Sequence, residues 1–152
     1  MTIVLPDYTI RTATPQDLSY VLHQAREHSN NIGFVPRAAL ADHIERSNIR
    51  LLTINGQHAG YLLAGGGKVR PYRLIQVAIT EERWREGYGS VLIACARETA
   101  RERPFSDMTA TIRHGLPMIS VAEATGAHRT ATHDRPTARR KPTHSYLWPA
   151  IS

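Results

Sequence analysis

The spacing of apolar residues along the chain predicts short strands alternating with amphipathic helices. Apolar residues recur at every second position in six segments, and this period predicts strands. Leu18, Val21, Leu22 and Ala25 instead follow helical spacing and predict one buried stripe. The predicted strands cover residues 8–13, 49–54, 58–64, 73–80, 108–113 and 144–148, and the predicted helices begin at Thr14 and cover 36–46, 90–101 and 117–125.

Turn-forming residues separate these segments and set their boundaries. Thr14-Pro15-Gln16-Asp17 is typical of a helix start, with Thr14 as the N-cap and Pro15 at the first helical position. Asn55-Gly56 between two apolar alternations predicts a tight hairpin. Residues 30–34 predict a turn, and Gly126 predicts the end of the helix before it.

The resulting order is β-α-α-β-β-β-α-β-α-β-β, in which a hairpin precedes a strand–helix–strand unit. A hairpin gives antiparallel neighbours, and a helical crossover gives parallel ones. We therefore expect an α/β fold with a mixed sheet of six to seven strands and about four helices. At 152 residues the chain fits a single domain covering 1–152.

Composition narrows the class of protein. No apolar run approaches the length of a membrane span, and the first residues resemble no signal peptide. The single cysteine, Cys95, excludes a disulfide within the chain and favours a reducing, cytoplasmic location. The net charge of +6 predicts an anionic partner, which could be a polyphosphate compound or a nucleic acid.

The segment with the most chemical information is residues 76–93. A strand-forming run leads through a charged loop to Gly87-Tyr88-Gly89, and a helical pattern follows at once. The first amides of a helix have no acceptor within it, and the helix dipole favours an anion there. Glycines allow the backbone to come close to such a ligand. This segment therefore predicts a phosphate-binding loop.

The element order and this loop resemble the GNAT superfamily of acyl-CoA-dependent N-acyltransferases. The resemblance covers nearly the whole chain and includes four further segments, namely Ile10-Arg11-Thr12-Ala13 with Pro15-Gln16-Asp17, Gly33-Phe34-Val35-Pro36, Gln57-His58-Ala59-Gly60-Tyr61 and Ala122-Glu123-Ala124-Thr125-Gly126-Ala127. It implies acetyl-CoA as co-substrate and a GNAT fold. It also implies cofactor contacts at Val77, Ala78, Ile79, Trp84, Arg85, Glu86, Gly87, Tyr88, Gly89 and Ser90.

Two positions depart from the family's pattern. Trp84 stands where the loop usually has arginine or glutamine, with Arg83 and Arg85 on either side. Ala122 stands where the family usually has the tyrosine that protonates the leaving thiolate. Ser120 and Tyr146 are the candidate substitutes for that tyrosine.

Catalysis by amine acylation also requires a base, and several residues are candidates. Glu81 and Glu82 follow the strand that should hold the thioester, although they could equally be solvated or paired with arginines. Gln76 should face inward and could orient a water molecule or the acceptor. His114 lies at the same predicted edge. The eight histidines show no metal-binding spacing, so we expect no metal site.

The acceptor is not encoded in any motif, and three functions remain open. The first is an N-acetyltransferase for a small-molecule or protein amine. The second is a nucleic-acid base-modifying enzyme of phage type, suggested by the basic segment 128–141 with Arg135, Arg139, Arg140 and Lys141. The third is a catalytically weak acyl-CoA-binding regulatory module, suggested by Ala122. A homodimer is included among the expected assemblies.

Overall fold

The computed structural model describes residues 7–32, 35–66, 68–113, 116–133 and 142–150. Their strands are β1 (Tyr8–Thr12), β2 (Ile49–Ile54), β3 (Gln57–Gly65), β4 (Tyr72–Ile79), β5 (Met108–Arg113), β6 (His128–His133) and β7 (Thr143–Trp148). The α-helices are α1 (Leu18–Glu27), α2 (Ser29–Ile32), α3 (Arg37–Glu45), α4 (Tyr88–Arg101) and α5 (Met118–Ala124).

The seven strands form one mixed sheet in the order β1-β2-β3-β4-β5-β7-β6. β1 and β3 both pair with β2 in antiparallel fashion, and β4 pairs with β5 in parallel fashion. β7 then returns antiparallel to β5 and also pairs with β6 at the edge. The predicted α/β architecture, with antiparallel strands first and a parallel pair after them, is confirmed.

Two boundaries differ from the sequence prediction. Residues 30–34 were expected to form only a turn, but α2 covers Ser29–Ile32, and Gly33 and Phe34 lie outside the described residues. Helix α4 begins at Tyr88 rather than at Ser90. The helix can begin earlier because Gly87, with φ of 92°, makes the sharp turn and leaves Gly89 free to adopt helical backbone angles.

Residue contacts divide the chain into two compact units. The first contains the described part of 1–63 together with 76–88, and the second contains the described part of 64–75 together with 89–152. The single domain over 1–152 stays a prediction.

The first unit has its own hydrophobic core, and the predicted stripe of α1 lies in it. Val21, Leu22 and Ala25 are buried, and Leu40 and Ile44 of α3 pack into the same cluster as expected. Each fully buried aliphatic side chain of this size contributes about 1.5–3 kcal/mol. This packing holds α1 and α3 in place against the strands of the first unit.

The turn before α1 is fixed by a buried carboxylate. Arg11 donates two hydrogen bonds of 2.8 Å to Asp17, and the backbone N–H of Thr14 donates a third at 2.8 Å. His58 of β3 donates from Nε2 to the same carboxylate at 3.0 Å. The hydrogen bonds from Arg11 lower the pKa of Asp17 far below its usual value, and burial opposes them only in part.

The second unit is built around α4, α5 and the strands β5 and β7. Its buried side chains include Leu92 and Ala96 of α4 and Trp148 of β7. The indole N–H of Trp148 donates to Thr125 Oγ1 at 3.0 Å, which ties β7 to the end of α5. Among the described residues, no helix is both long enough and apolar enough to cross a membrane.

Candidate active site

The C-terminal half of β4 carries a buried amide held on both sides. Gln76 faces inward as predicted, and its Oε1 accepts a hydrogen bond of 2.7 Å from the hydroxyl of Tyr61. Its Nε2 donates to the carbonyl of Ile32 at 3.4 Å. Burial raises the pKa of Tyr61 well above its usual value, so this hydroxyl stays protonated and remains a donor. Gln76 is thus fixed in orientation and carries no basic group.

β3 and β4 approach each other unusually closely at Gly60. A Cβ atom at this position would lie 2.6 Å from the carbonyl oxygen of Ala78 and 2.9 Å from Ile79 Cδ1. Both distances are shorter than a carbon atom tolerates, so the end of β4 can take this position only beside a glycine. The backbone of Ala78 and Ile79 is the part of β4 expected to hold a thioester.

A second set of contacts positions the residue that follows β4. Thr80 donates its backbone N–H to Ala59 at 2.8 Å, and its hydroxyl shares a hydrogen bond of 2.7 Å with Tyr20. Tyr20 stacks on His58 with ring centroids 4.4 Å apart. The chain therefore leaves β4 in a direction fixed by α1 and β3.

The candidate carboxylates Glu81 and Glu82 lie in a short 3-10 turn after β4, and both are exposed. Arg83 of the same turn pairs with Glu86 at 3.6 Å. The sequence left open whether Arg83 pairs with one of the two glutamates, and the structure gives it Glu86 instead. Glu81 and Glu82 thus keep their carboxylates on the solvent side at the end of β4.

Trp84 folds back onto the strand that precedes it. Its indole Nε1 donates to the carbonyl of Ile79 at 2.7 Å. Its ring also contacts the imidazole of His28, with centroids 5.5 Å apart. The residue at the usual arginine or glutamine position therefore contacts the end of β4 and the end of α1.

The loop between β4 and α4 has the backbone of an anion cradle. Arg85 has φ of 66° and Gly87 has φ of 92°, so two residues in left-handed conformation curl the loop just before the helix begins. The first amides of α4, at Tyr88, Gly89 and Ser90, have no acceptor within the helix. A Cβ atom at Gly89 would meet only Val121 Cγ1, at 3.7 Å, so little covers the backbone there.

The candidate proton donors lie in the second unit. Ala122 is completely buried in α5, while Ser120 of the same helix is exposed. The hydroxyl of Tyr146 accepts a hydrogen bond from Arg129 at 3.2 Å and donates to Glu123 at 3.4 Å. Tyr146 is therefore already held by two charged partners, whereas the hydroxyl of Ser120 is open to solvent.

Some predicted residues lie outside the described part of the chain. These are His114 and the basic residues Arg135, Arg139, Arg140 and Lys141. Within the part that is described, no group of three or more potential ligands could hold a metal ion.

The structure also reveals two polar side chains that the sequence analysis did not single out. Gln24 and His28 lie one turn apart on the buried side of α1, three and seven residues after Val21. Among the described residues, neither Gln24 Oε1 nor His28 Nε2 has a hydrogen-bond partner, although both atoms are buried. Polar residues at positions that continue the apolar stripe were the signal in the sequence.

The chain matches no protein-family model and no curated protein. It is similar in structure to the ribosomal-protein-S18-alanine N-acetyltransferase of Escherichia coli, with 18% identity, a TM-score of 0.77 and 96% of each chain covered. It is similar to the N-acetylglutamate synthase of Neisseria gonorrhoeae complexed with coenzyme A and N-acetyl-glutamate, with 19% identity, a TM-score of 0.80, 98% of this chain and 36% of that chain covered.

A third similar structure is an acetyltransferase of the GNAT family from Bacillus cereus. It is 15% identical, with a TM-score of 0.77 over 96% of this chain and 99% of that chain. The element order, the sheet and the loop before α4 agree with these neighbours, and this protein has the fold of the GNAT superfamily.

Proposed function

We propose that this protein is an acyl-CoA-dependent N-acyltransferase that transfers acetyl from acetyl-CoA to a primary amine of a small molecule or protein. The observation that carries the proposal is the loop between β4 and α4. It combines two left-handed residues, Arg85 and Gly87, with a free helix start on a GNAT fold. That combination suits a pyrophosphate better than any uncharged ligand.

In this proposal the amides of 85–90 hold the pyrophosphate, and Arg85 supplies positive charge. The left-handed backbone of Arg85 is unfavourable for a residue with a side chain. Such strain is kept in proteins mainly at functional sites, which supports a role for the guanidinium. Arg83 is already paired with Glu86, so Arg85 is the better candidate for the charge that the loop lacks at Trp84.

The backbone N–H groups of Val77–Ile79 are proposed to stabilise the negative charge that develops on the thioester oxygen. Fixed donors of this kind need no rearrangement during the reaction. The contact of Gly60 with Ala78 and Ile79 supports the proposal, because it fixes the backbone at this point. Glu81 and Gln76 are proposed to order the amine or a water molecule, and Ser120 or Tyr146 to protonate the thiolate.

The structural neighbours suggest which acceptors to try first. One acts on an alanine of a ribosomal protein, and another was crystallised with N-acetyl-glutamate. We therefore propose a peptide with an N-terminal alanine and free L-glutamate as the first test amines. The one cysteine, Cys95, is free, which supports a cytoplasmic location.

The test is stabilisation by acetyl-CoA in thermal melting, compared between two variants of Gly89. A ligand bound only by the folded state at a hundredfold excess over Kd adds about 2.7 kcal/mol. Gly89→Ala has room for its Cβ and should keep this stabilisation, because the family's loop accepts glycine or alanine there. Gly89→Asp places a negative charge at the helix start and should lose it. An acetyl-CoA-independent melting temperature in the wild type would contradict the proposal.

A nucleic-acid partner is the second candidate, because the net charge is +6 and the basic residues are clustered in sequence. The basic residues Arg139, Arg140 and Lys141 lie outside the described part, so this candidate rests on sequence alone. If they contact phosphates, their triple alanine variant should lose salt-sensitive DNA or RNA binding while keeping acetyl-CoA binding. Each lost contact should reduce the slope of log K against log[salt] by roughly 0.9 for duplex DNA or 0.7 for a single strand.

A further inference from the structure

Helix α1 contains two buried polar atoms that nothing in the described part of the chain satisfies. Gln24 is 6% exposed, and its Oε1 has no partner there. The Nε2 of His28, one turn later, is also buried without a partner there. Buried polar atoms are almost always hydrogen-bonded in native proteins, so two orphans on one helix face require a reason.

These two atoms lie close to the end of β4. The imidazole of His28 contacts Trp84, and the indole of Trp84 donates to the carbonyl of Ile79. Four residues after His28, the carbonyl of Ile32 accepts from Gln76. The end of α1 and the turn after it therefore contact β4 where the acyl group is proposed to sit.

We propose that Gln24 Oε1 and His28 Nε2 bind the amino group of the acceptor, and that His28 removes its proton. This inference rests on the proposed function and names the base that the function requires. An ammonium group has three donors and no acceptor. A glutamine oxygen and an unprotonated imidazole nitrogen are both acceptors, so the pair matches an amine.

The proton balance follows directly from this assignment. His28 Nε2 takes one proton from the ammonium, and the freed nitrogen lone pair attacks the thioester carbonyl carbon. A C–N bond forms, the C–S bond breaks, and the sulfur leaves with the bonding electron pair. The sulfur then takes the second proton from the nitrogen, and His28 releases the first proton to water. This sequence requires no tyrosine at Ala122.

Access to the two atoms depends on Trp84. Both atoms are shielded in the free protein, and the indole that rests on His28 is itself 44% exposed. Trp84 is therefore the wall that must move aside for an amine to enter. Breaking its hydrogen bond to Ile79 also frees a carbonyl at the end of β4.

Gln24→Met gives a test that does not depend on activity. Replacing an unsatisfied buried amide with an apolar side chain of similar length removes a desolvation penalty, so the melting temperature should rise by about 2–4 °C. The same variant should lose at least tenfold in kcat/KM for the amine. A lower melting temperature would show that the Gln24 amide has a structural partner, and the inference would be wrong.

His28→Asn tests the proton transfer, and His23→Asn is the matched control. His23 lies on the same helix but is exposed and pairs with Glu27 at 3.1 Å. With acetyl-CoA and an alanine-initiated peptide or L-glutamate, His28→Asn should lose about 100-fold in kcat and the acid limb of the pH profile. It should keep the stabilisation by acetyl-CoA, which shows that it is folded.

The outcomes separate the inference from the proposed function. Transfer by His28→Asn at the rate of His23→Asn would overturn the inference and leave the function standing. A wild type that neither binds acetyl-CoA nor transfers acetyl would overturn the function and with it the role of His28 as a base. The melting temperature of Gln24→Met would then still decide whether α1 carries an uncompensated polar pair.

Discussion

Gly60→Ala adds one methyl group at the closest approach between β3 and β4. The new Cβ would lie 2.6 Å from the carbonyl oxygen of Ala78 and 2.9 Å from Ile79 Cδ1. The side chain of Ile79 can rotate, but the carbonyl of Ala78 is part of a strand. We therefore expect the backbone of β4 to move at this point by at least about 0.4 Å to restore an ordinary contact.

The expected destabilisation follows from overpacking in a rigid region. Inserting a methyl group into a well-packed site costs typically about 1–3 kcal/mol. For a chain of this length each kcal/mol lowers the melting temperature by about 2–4 °C, so the variant should melt roughly 2–12 °C lower. Because the displaced backbone is the proposed oxyanion donor, kcat should fall more than acetyl-CoA binding does.

Gly56→Ala is the matched control for this experiment. Gly56 lies in the turn of the same hairpin, has φ of 79°, and has no atom within 4 Å of a new Cβ. It should lose stability through backbone strain alone and keep its rate of acetyl transfer. If Gly60→Ala melts like the wild type, or if both variants lose activity equally at temperatures where both are folded, the argument about β4 is wrong.

Three further predictions follow from single side chains. Arg85→Gly should raise stability by about 1 kcal/mol in urea titrations, because it relieves a left-handed arginine, and should weaken acetyl-CoA binding. Asp17 has a lowered pKa, so its stabilisation is present above about pH 4 and is lost as pH falls further; Asp17→Asn should lose about 2 kcal/mol at pH 7 but little at pH 2.5. Tyr146→Phe should keep the fold, and a loss of thiol release in it but not in Ser120→Ala would identify Tyr146 as the thiolate's proton donor.

The parts of the fold that were predicted correctly depend on local sequence. Asn55 and Gly56 both have positive φ, of 53° and 79°, as the turn type favoured by Asn-Gly requires. The stripe of α1 and the inward positions of α3 follow from helical periodicity, which is a property of a few neighbouring residues. Such signals also predicted the glycine turn before α4.

The parts that were not predicted depend on residues distant in sequence. Asp17 was interpreted as part of a helix start, but its partner His58 is 41 positions away. Trp84 was interpreted through its position in the loop, and its contacts with Ile79 and His28 follow from how α1 packs. Periodicity cannot indicate that Gln24 lacks a partner, because that depends on every side chain around it.

The most direct test of the account is to measure amine-dependent release of coenzyme A from acetyl-CoA together with the acetylated product. The protein is incubated with acetyl-CoA and an alanine-initiated peptide or L-glutamate, and free thiol and product mass are followed together. The account predicts equal amounts of coenzyme A and of N-acetylated amine, both abolished in Gly89→Asp and retained in Gly89→Ala. Release of thiol that no amine in a broad panel accelerates, with no acetylated amine formed, would contradict it.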